Sequence, residues 1–420
     1  MTQEDKKART FLRNTITKQQ DALIAITRTL VKTPSPNPAG NTVLVADAAI
    51  KLLQSIPHAH VSRHETAPGL VNVVARIPSG RPGKRLVFNG HLDTYPLCED
   101  LNWTVPPLGG VLKDGRLYGR GVCDMKGGIA ASITAAKLLA EHRDLWRGEI
   151  VVTLAGDEEC MGSRGAKWLL DNVEAAKGDA MICGDAGSPQ VVRFGEKGFV
   201  WIDVEAKGVA AHGAHVHRGL NAVNRLRKAL DAIETLEEMA VDMPAEVEDA
   251  IDAAADVSQA SSGMGELDTL RHVTVNIGTV HGGVSPNLIP AHAKAECDLR
   301  LPLGVTTEEI LAKLRTLLDP MEGIRWRIIR KCDPNYTSPT HDIVQLGLKV
   351  SKEVTGGKSV ASIRVGASDT RWYRAAGIPT VVVGCSGGNM GGADEYVEVK
   401  ELVQVAQAHT LMAYDFLKGC

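Results

Sequence analysis

Short apolar runs, each ended by glycine or an acid, alternate with longer segments in the first half of the chain. The runs "LVNVVARI", "KRLVFNGHLD", "GEIVVTLAG" and "DAMICGD" occupy 70–77, 84–93, 148–156 and 179–185. Between the second and third, "MKGGIAASITAAKLLAEH" at 125–142 has the length and apolar spacing of a helix. Strands separated by such helices predict crossover connections and an α/β fold, with a mostly parallel central sheet flanked by helices.

The pattern changes to strict alternation near Glu196. "GFVWIDVEAKG" alternates as a half-buried strand does, and "HVTVNIGTVHGG" with "IPAHAKAECDLRLP" predicts a hairpin. The region also contains amphipathic helices, one of them starting at a "TTEE" capping box. The acidic stretch 237–268 is expected to be a solvated loop or a helix that projects from the domain. Helices on an antiparallel sheet predict an inserted α+β domain at about 196–332. The remaining parts, 1–195 and 333–420, would form one catalytic domain.

Composition and charge argue against several classes of protein. The 420 residues are 44% hydrophobic, 23% charged and only 4% aromatic, and the net charge is −3. There is thus no basic footprint for nucleic acid or an anionic membrane, and few rings are present to stack on bases. No apolar run reaches the ~18 residues of a membrane helix, and the charged N-terminal segment lacks the apolar core of a signal peptide. Eight single cysteines, from Cys98 to Cys420, are typical of reduced thiols, so we expect a cytoplasmic protein.

Ionisable groups collect where the predicted strands end. They are His91 and Asp93 in "NGHLD", Asp124 in "GRGVCDMKGG", Glu158 and Glu159 in "AGDEEC", and Asp185 in "CGDAG". Because parallel sheets place their sites at the carboxyl ends of the strands, these side chains are expected to converge. Buried acids are costly unless they are paired or bind a metal. One imidazole among several carboxylates therefore predicts a site for a divalent transition metal, namely manganese, zinc or cobalt.

Each of these residues also has a structural interpretation. Asp124 and Asp185 suit turns or helix caps. Glu158 and Glu159 suit the first turn of a helix, where the macrodipole favours acids. A single histidine such as His91 commonly has only a hydrogen-bonding role. The four segments are specific only when they are taken together and in this order.

Seven motifs together resemble the M20 metallopeptidase family, the aminoacylase, carboxypeptidase and desuccinylase group of amide hydrolases. They are "GHLDTYP", "GRGVCDMKGG", "DEECMGSRG", "GVAAHGA" with "GLNAV", "NLIPAHAKAECDLR", "GASDTRW" and "ADEYVEV". The resemblance covers most of the chain. It implies a two-domain subunit whose inserted domain serves as a lid or a dimerisation domain, and hence a dimer or larger homo-oligomer.

The resemblance also implies roles for the residues at the strand ends. It implies that His91, Asp124 and Asp185 hold one metal ion, and that Asp124 bridges to a second ion held also by Glu159. Glu158 would be the general base that takes a proton from water. Asp93 would orient His91, as residues beside metal-bound histidines commonly do. Adjacent acids at a strand end point in different directions, so one can face a metal while its neighbour faces the water.

Further site residues are implied in the inserted domain and near the C-terminus. His212 in "AAHGA" matches the histidine with which one subunit reaches its neighbour's active site and stabilises oxyanion charge. Asn287 and Arg300 match positions that hold the polar end of the substrate. An arginine suits a carboxylate, although Arg300 can equally pair with Asp298. Ser368 lies in a matching substrate-binding loop, but it can instead cap the following helix.

One position departs from the pattern of the resembled family. Most relatives have a histidine ligand three residues before an acidic pair that corresponds to Asp394 and Glu395, and here that position is Gly391. No histidine lies between His341 and His409, so a shift in register does not supply one. The second metal position would keep only two ligands. We therefore expect one firmly bound metal ion per subunit, or a second ion that is weakly bound and labile.

These observations predict a metal-dependent hydrolase that cleaves a C–N bond of a small carboxylate-bearing substrate. With one metal ion, we favour attack on an electron-poor ring carbon, which replaces an aromatic amine activated by a nitro group with hydroxyl. The alternative is an N-acyl-amino-acid deacylase or dipeptidase. A third hypothesis, from another class, is a non-catalytic binding protein of the same fold.

Overall fold

The computed structural model describes residues 2–38, 40–97 and 102–419, so Cys98 and Cys420 lie outside the described residues. The α-helices are α1 Gln3–Lys18, α2 Gln20–Val31, α3 Val43–Gln54, α4 Gly127–Glu141, α5 Ala166–Asn172, α6 Ala222–Glu234, α7 Ala245–Ser262, α8 Glu266–Arg271, α9 Thr307–Leu318, α10 Asp342–Thr355, α11 Thr370–Ala375 and α12 Val399–Leu417. The strands are β1 His60–Ala67, β2 Leu70–Pro78, β3 Arg85–His91, β4 Val111–Lys113, β5 Arg116–Tyr118, β6 Glu149–Ala155, β7 Ala180–Cys183, β8 Val191–Glu196, β9 Gly198–Lys207, β10 Thr274–Gly282, β11 His292–Leu301, β12 Ile324–Cys332, β13 Asn335–Tyr336, β14 Val360–Arg364, β15 Thr380–Val382 and β16 Tyr396–Glu398.

The largest sheet has nine strands in the order β1-β2-β6-β3-β7-β15-β8-β13, with β14 also paired to β8. Its centre is parallel, because β3 pairs in parallel with both β6 and β7, and β7 with β15. Its margins are antiparallel, where β1 pairs with β2 and β13 with β8. The predicted α/β fold is confirmed, as a mixed sheet whose parallel strands lie at the centre.

Helices cover this sheet and build the main core. Helix α4 is buried at nearly every position, which explains why its sequence is apolar and small-residue-rich all round rather than amphipathic. Its first turn lies directly against the end of β7: a Cβ at Gly128 would stand 1.9 Å from the carbonyl oxygen of Gly184. Glycine at 128 therefore permits the close approach that brings the segment before α4 next to the segment after β7.

The predicted inserted region contains a second, four-stranded antiparallel sheet in the order β10-β11-β9-β12. The predicted β10–β11 hairpin is confirmed. So is the capping box at the start of α9, in which the Thr306 hydroxyl accepts from the backbone N–H of Glu309 and the Glu309 carboxylate accepts from the backbone N–H of Thr306. Helices α6 and α9 cover one face of this sheet and enclose a core of their own. The division of the chain at about 196 and 332 stays a prediction.

The acidic stretch that follows α6 is helical. It contains α7 and α8, which pack against the central sheet rather than the inserted one. Arg193 of β8 pairs with Glu266 of α8 at 2.9 Å, and both side chains are buried. None of the helices in the described part of the chain is both long and apolar enough to cross a bilayer.

Candidate metal centre

The ends of three adjacent strands bring the predicted site residues together. In the central sheet β3 lies between β6 and β7, and all three run in the same direction. The residues at or just after their carboxyl ends are His91 and Asp93 for β3, Glu158 and Glu159 for β6, and Asp185 for β7. Asp124 joins them from the turn that precedes α4. The predicted convergence at one sheet edge is therefore present.

Three of these side chains form a group that suits a metal ion. His91, Asp124 and Glu159 each offer one ligand atom, and those atoms all lie within 4.8 Å of one another. Among the described residues, no other group of three or more histidine, cysteine or acidic side chains meets this criterion. The Nε2 atom of His91 lies 3.0 Å from Asp124 Oδ1. The donor set of one imidazole and two carboxylates matches a hard-to-borderline divalent cation.

The orientation of His91 follows from a hydrogen bond on its other ring nitrogen. Nδ1 lies 2.9 Å from the backbone oxygen of Asp93, which can only accept, so Nδ1 carries the proton. Nε2 is then the ring atom that faces Asp124, and it carries the proton that titrates. Burial alone would lower the pKa of His91, but hydrogen bonds to the Asp124 and Asp93 carboxylates raise it well above its ordinary value. A cation at the site would displace that proton.

Asp93 has a second task, which is to hold the acidic turn in place. Its carboxylate accepts from the backbone N–H groups of Glu158, at 3.2 Å, and Glu159, at 3.1 Å. It also accepts from the side-chain amide of Asn37 at 2.8 Å. Asp93 is fully buried, and it thus links the end of β3 to the turn after β6 by hydrogen bonds alone.

The electrostatics of the site favour a positive charge there. Burial, and then repulsion from Asp124, raise the pKa of Glu159 to about 10. Burial raises the pKa of Glu158 to about 7, against the opposing effects of His91 and Arg371. The Oε1 atom of Glu159 is buried and has no hydrogen-bond partner among the described residues. Crowded, partly unpaired carboxylates of this kind are costly in an apolar interior, and a divalent cation among them fits the residues present.

Asp185 lies at the same edge but outside the group of mutually close donor atoms. One of its oxygens accepts from the backbone N–H of Ala186 at 2.6 Å, and the other from Arg364 at 2.7 Å. Burial raises the pKa of Asp185, and the Arg364 guanidinium opposes that change. Its role as a metal ligand stays a prediction.

Two arginines of the site, one partly buried and one fully buried, were not predicted from the sequence. Arg364, the partner of Asp185, ends strand β14. Arg371, in the first turn of α11, lies 3.6 Å from Glu158 Oε1 with a side chain that is 1% exposed. Two sequence features could have indicated these arginines. Arg364 follows the apolar run "VASI", and Arg371 lies inside the motif "GASDTRW".

The remaining predicted site residues lie away from the three-donor group. Arg300 makes the alternative contact, because its Nε and Nη2 atoms lie 3.0 and 2.9 Å from Asp298 Oδ2. Ser368 is fully buried and donates to Glu196 at 2.8 Å. His212 and Asn287 are neighbours on an exposed loop pair of the inserted region, joined by the backbone bond from Gly213 N–H to Asn287 O at 2.7 Å. Their roles toward a substrate stay predictions.

Gly391 lies beside Tyr95 and has a left-handed backbone. Its φ is +73°, and a Cβ added there would lie 3.6 Å from the ring of Tyr95. Its carbonyl accepts from Arg120 at 2.9 Å, and Arg120 also pairs with the buried Glu395. The segment is thus anchored beside the site through its backbone and contributes no side chain to it at this position.

Comparisons with known proteins show which sequences and folds are similar to this chain. The profile described as Peptidase family M20/M25/M40 matches residues 87–415. A succinyl-diaminopimelate desuccinylase of Rhodospirillum centenum is 28% identical over 405 residues, which are 94% of this chain and 97% of that protein. The M20 family metallo-carboxypeptidase Sso-CP2 from Sulfolobus solfataricus superposes with a TM-score of 0.78 at 18% identity, covering 94% of this chain and 99% of that one. The YXEP protein of Bacillus subtilis, described as a dinuclear metal binding peptidase from the M20 family, superposes with a TM-score of 0.64 at 14% identity, covering 96% and 100%.

Proposed function

This chain belongs to peptidase family M20/M25/M40 and is a metal-dependent hydrolase of C–N bonds, and we propose that its substrate is a small compound that carries a carboxylate. One observation carries the proposal. A buried acid outside the donor group, Glu158, stands next to Glu159 of that group and faces Arg371 at 3.6 Å. An acid so placed can handle protons beside the ion without being one of its ligands.

The proposed chemistry assigns each residue one task. A divalent ion held by His91, Asp124 and Glu159 would supply Lewis-acid chemistry, lowering the pKa of water and polarising the bond to be cleaved. Glu158 takes the proton of the attacking water and returns it to the leaving nitrogen. Its pKa of about 7 suits an acid that must both accept and release a proton near neutral pH. Asp93 keeps Glu158 and His91 in position.

The first candidate reaction is the replacement of an aromatic amine by hydroxyl. It is the type of reaction of 5-nitroanthranilate aminohydrolase, which the sequence resembles and which yields 5-nitrosalicylate. The single three-donor group and the glycine at position 391 favour it. One ion suffices to activate water against a ring carbon that a nitro group already makes electron-poor.

The second candidate is the deacylation of an N-acyl amino acid or the cleavage of a dipeptide. The names of the desuccinylase relatives favour it. Such a reaction leaves an amine and a carboxylate, whereas the first candidate releases ammonia and no new carboxylate. The two candidates therefore differ in a product that can be measured directly.

A metal-by-substrate screen tests the proposal. The protein is loaded in turn with manganese, zinc or cobalt and offered nitro-substituted aminobenzoates, N-acetyl and N-succinyl amino acids, and dipeptides. Ammonia and carboxylate release are recorded separately. Ammonia release from an aminobenzoate supports the first candidate, and carboxylate release supports the second. Metal-loaded protein that binds small carboxylates and hydrolyses none of them would instead make it a binding protein of the same fold.

We also propose that the chain works as a homo-oligomer, with residues 196–332 as the lid or dimerisation domain. The exposure of His212 and Asn287 supports this arrangement, because exposed side chains are available to a neighbouring subunit. Light scattering measures the oligomeric state. A monomer with full activity would contradict a role for His212 in a neighbouring site.

A further inference from the structure

A cleft of 590 Å³ lies between the acidic turn after β6 and the end of the inserted sheet. Its volume is in the range of sites that bind small molecules. Phe199 of β9 and Trp372 of α11 give it aromatic walls, which suit the carbon atoms of a small substrate. The three donor residues of the metal centre are not part of its lining. The cleft is therefore a neighbouring compartment rather than the metal centre itself.

Basic groups dominate the ionisable lining of this cleft. Arg164 and Arg330 both line it, and both residues are exposed. Lys331 lies at the rim, but its ammonium is engaged with Glu308 at 2.5 Å. Among the described residues, the one acid in the lining is Asp157, which is 4% exposed and accepts from the backbone N–H of Arg164 at 2.8 Å. A cleft with this charge balance attracts an anion.

A β-bulge directs Arg330 toward the cleft. Ile328 pairs with Ile202, but Arg330 pairs with Trp201, so Ile329 is an extra residue in strand β12. Ile202 belongs to the core beneath the sheet, and its neighbour Trp201 points to the opposite face because side chains alternate along a strand. If the same sequence continued as a regular strand, Arg330 would pair with the core residue Val200 and lie on the core face. With it, the guanidinium lies 5.9 Å from the Trp201 ring, on the open face.

The cleft leads directly to the proposed general base. Arg330 Nη1 donates to the carbonyl oxygen of Cys160, the residue after Glu159. One N–H is used in this way, and a guanidinium carries five such donors. Arg371, which also lines the cleft, lies 3.6 Å from Glu158 Oε1, and its Nε has no partner among the described residues. A substrate whose arm lies in the cleft would thus have its scissile C–N bond beside Glu158.

We propose that this cleft binds a carboxylate on an arm of the substrate and that Arg330, assisted by Arg164, selects for it. The inference rests on the proposed hydrolase function and narrows its substrate class to compounds with a carboxylate on the cleft side of the scissile bond. Arginine suits this task because its planar guanidinium meets a carboxylate through two parallel hydrogen bonds.

Calorimetric titration of the manganese-loaded full chain tests this proposal without turnover. The probes are glutarate and pentanoate, which have equal chain length but two carboxylates and one. Glutarate is expected to bind about tenfold more tightly, since a hydrogen bond to a charged group contributes on that order. Arg330→Gln should remove most of the difference, and Arg330→Lys should retain part of it. Arg164→Gln should reduce it less.

Arg325→Gln is the matched control. Arg325 lies on the same strand, is exposed and is outside the cleft lining, so the variant loses the same charge and should keep the preference for glutarate. Equal binding of the two acids by the unsubstituted chain, no measurable glutarate binding, or an unchanged preference in a folded Arg330→Gln variant would each overturn the proposal. If glutarate selection depends on Arg330 while the substrate screen yields no hydrolysis, the proposed function fails and the carboxylate site stands.

Discussion

Glu158 is the residue on which the proposed chemistry depends most directly. Glu158→Gln keeps the shape and removes the proton acceptor, so kcat should fall by about 10²-fold or more. Metal content, measured by elemental analysis after dialysis, should remain close to that of the unsubstituted chain, because Glu158 is outside the three-donor group. Turnover near the normal rate in this variant would remove Glu158 from the mechanism.

Gly391 gives a prediction about the number of metal ions. A histidine there would offer a new ligand, but the φ of +73° is unfavourable for a side chain, and the Tyr95 ring, in ordinary contact with the Cβ at 3.6 Å, would restrict the imidazole beyond it. We therefore expect Gly391→His alone to raise the metal content only slightly. Gly391→His combined with Tyr95→Val should raise it toward two ions per subunit, as measured by elemental analysis.

Gly391→Ala with Tyr95→Val is the control for this pair, since it makes the same space without adding a ligand. If the histidine-containing double variant binds no more metal than this control, the glycine is not what limits the site to one ion.

The location of a site residue could be predicted where the neighbouring sequence determines it. His91 and Glu159 follow apolar strands, and strands of one parallel layer end at one edge, so their proximity followed from the pattern. Arg371 was missed because its partner, Glu158, is more than 200 positions away in the chain. The second task of Asp93, its hydrogen bonds to a distant turn, was missed for the same reason.

Among the elements, helix α12 carries a buried group with a clear pH dependence. His409 is fully buried, its Nδ1 lies 3.1 Å from Ser132 Oγ, and its Nε2 lies 2.7 Å from the carbonyl oxygen of Val383. Nε2 must therefore donate to Val383, and in the neutral ring Nδ1 accepts from the Ser132 hydroxyl. Burial lowers the pKa of His409 from 6.5 to about 4, although the hydrogen bond to Val383 opposes this.

The sign of the effect on folding follows from that lowered pKa. Between pH 6.5 and 4 the unfolded chain binds a proton that the folded chain excludes, so stability is present above pH 6.5 and is lost as pH falls. Between pH 7 and pH 5, this one group should lower the free energy of unfolding by about 2 kcal/mol. The free energy of unfolding, measured with urea, should therefore fall by about 2 kcal/mol less in His409→Gln than in the unsubstituted chain over this pH range. An identical dependence in both proteins would contradict the assignment.

Elements with clear periodicity were predicted, and those formed by context were not. The alternating strands and the α9 capping box appear as expected. The acidic stretch is only weakly amphipathic. It forms α7 and α8 because contacts with the central sheet, including the Arg193–Glu266 pair, stabilise these helices. The bulge at Ile329 could not be predicted from "IRWRIIRK". A bulge changes which of the following side chains face the core, but it leaves no mark in the composition of the strand.

At the scale of the whole molecule, the α/β fold and the family followed from the seven motifs, which are spread along most of the chain. What they did not determine is how the inserted sheet lies against the acidic turn. That placement depends on tertiary contacts such as the Arg330 bond to Cys160, which joins residues 170 positions apart. The cleft, and with it the proposed selectivity for a second carboxylate, became visible only in the folded chain.

The metal ion should stabilise the whole fold, because it binds the folded chain and relieves the repulsion among its buried carboxylates. Removing it with a chelator should abolish activity and lower the thermal midpoint by a few degrees, and manganese should restore both. His91→Ala should lose the midpoint shift, because it removes the one nitrogen ligand of the group. His292→Ala, a change of an exposed histidine on β11, should keep it. Full activity and an unchanged midpoint in thoroughly chelated protein would contradict a metal centre at this sheet edge.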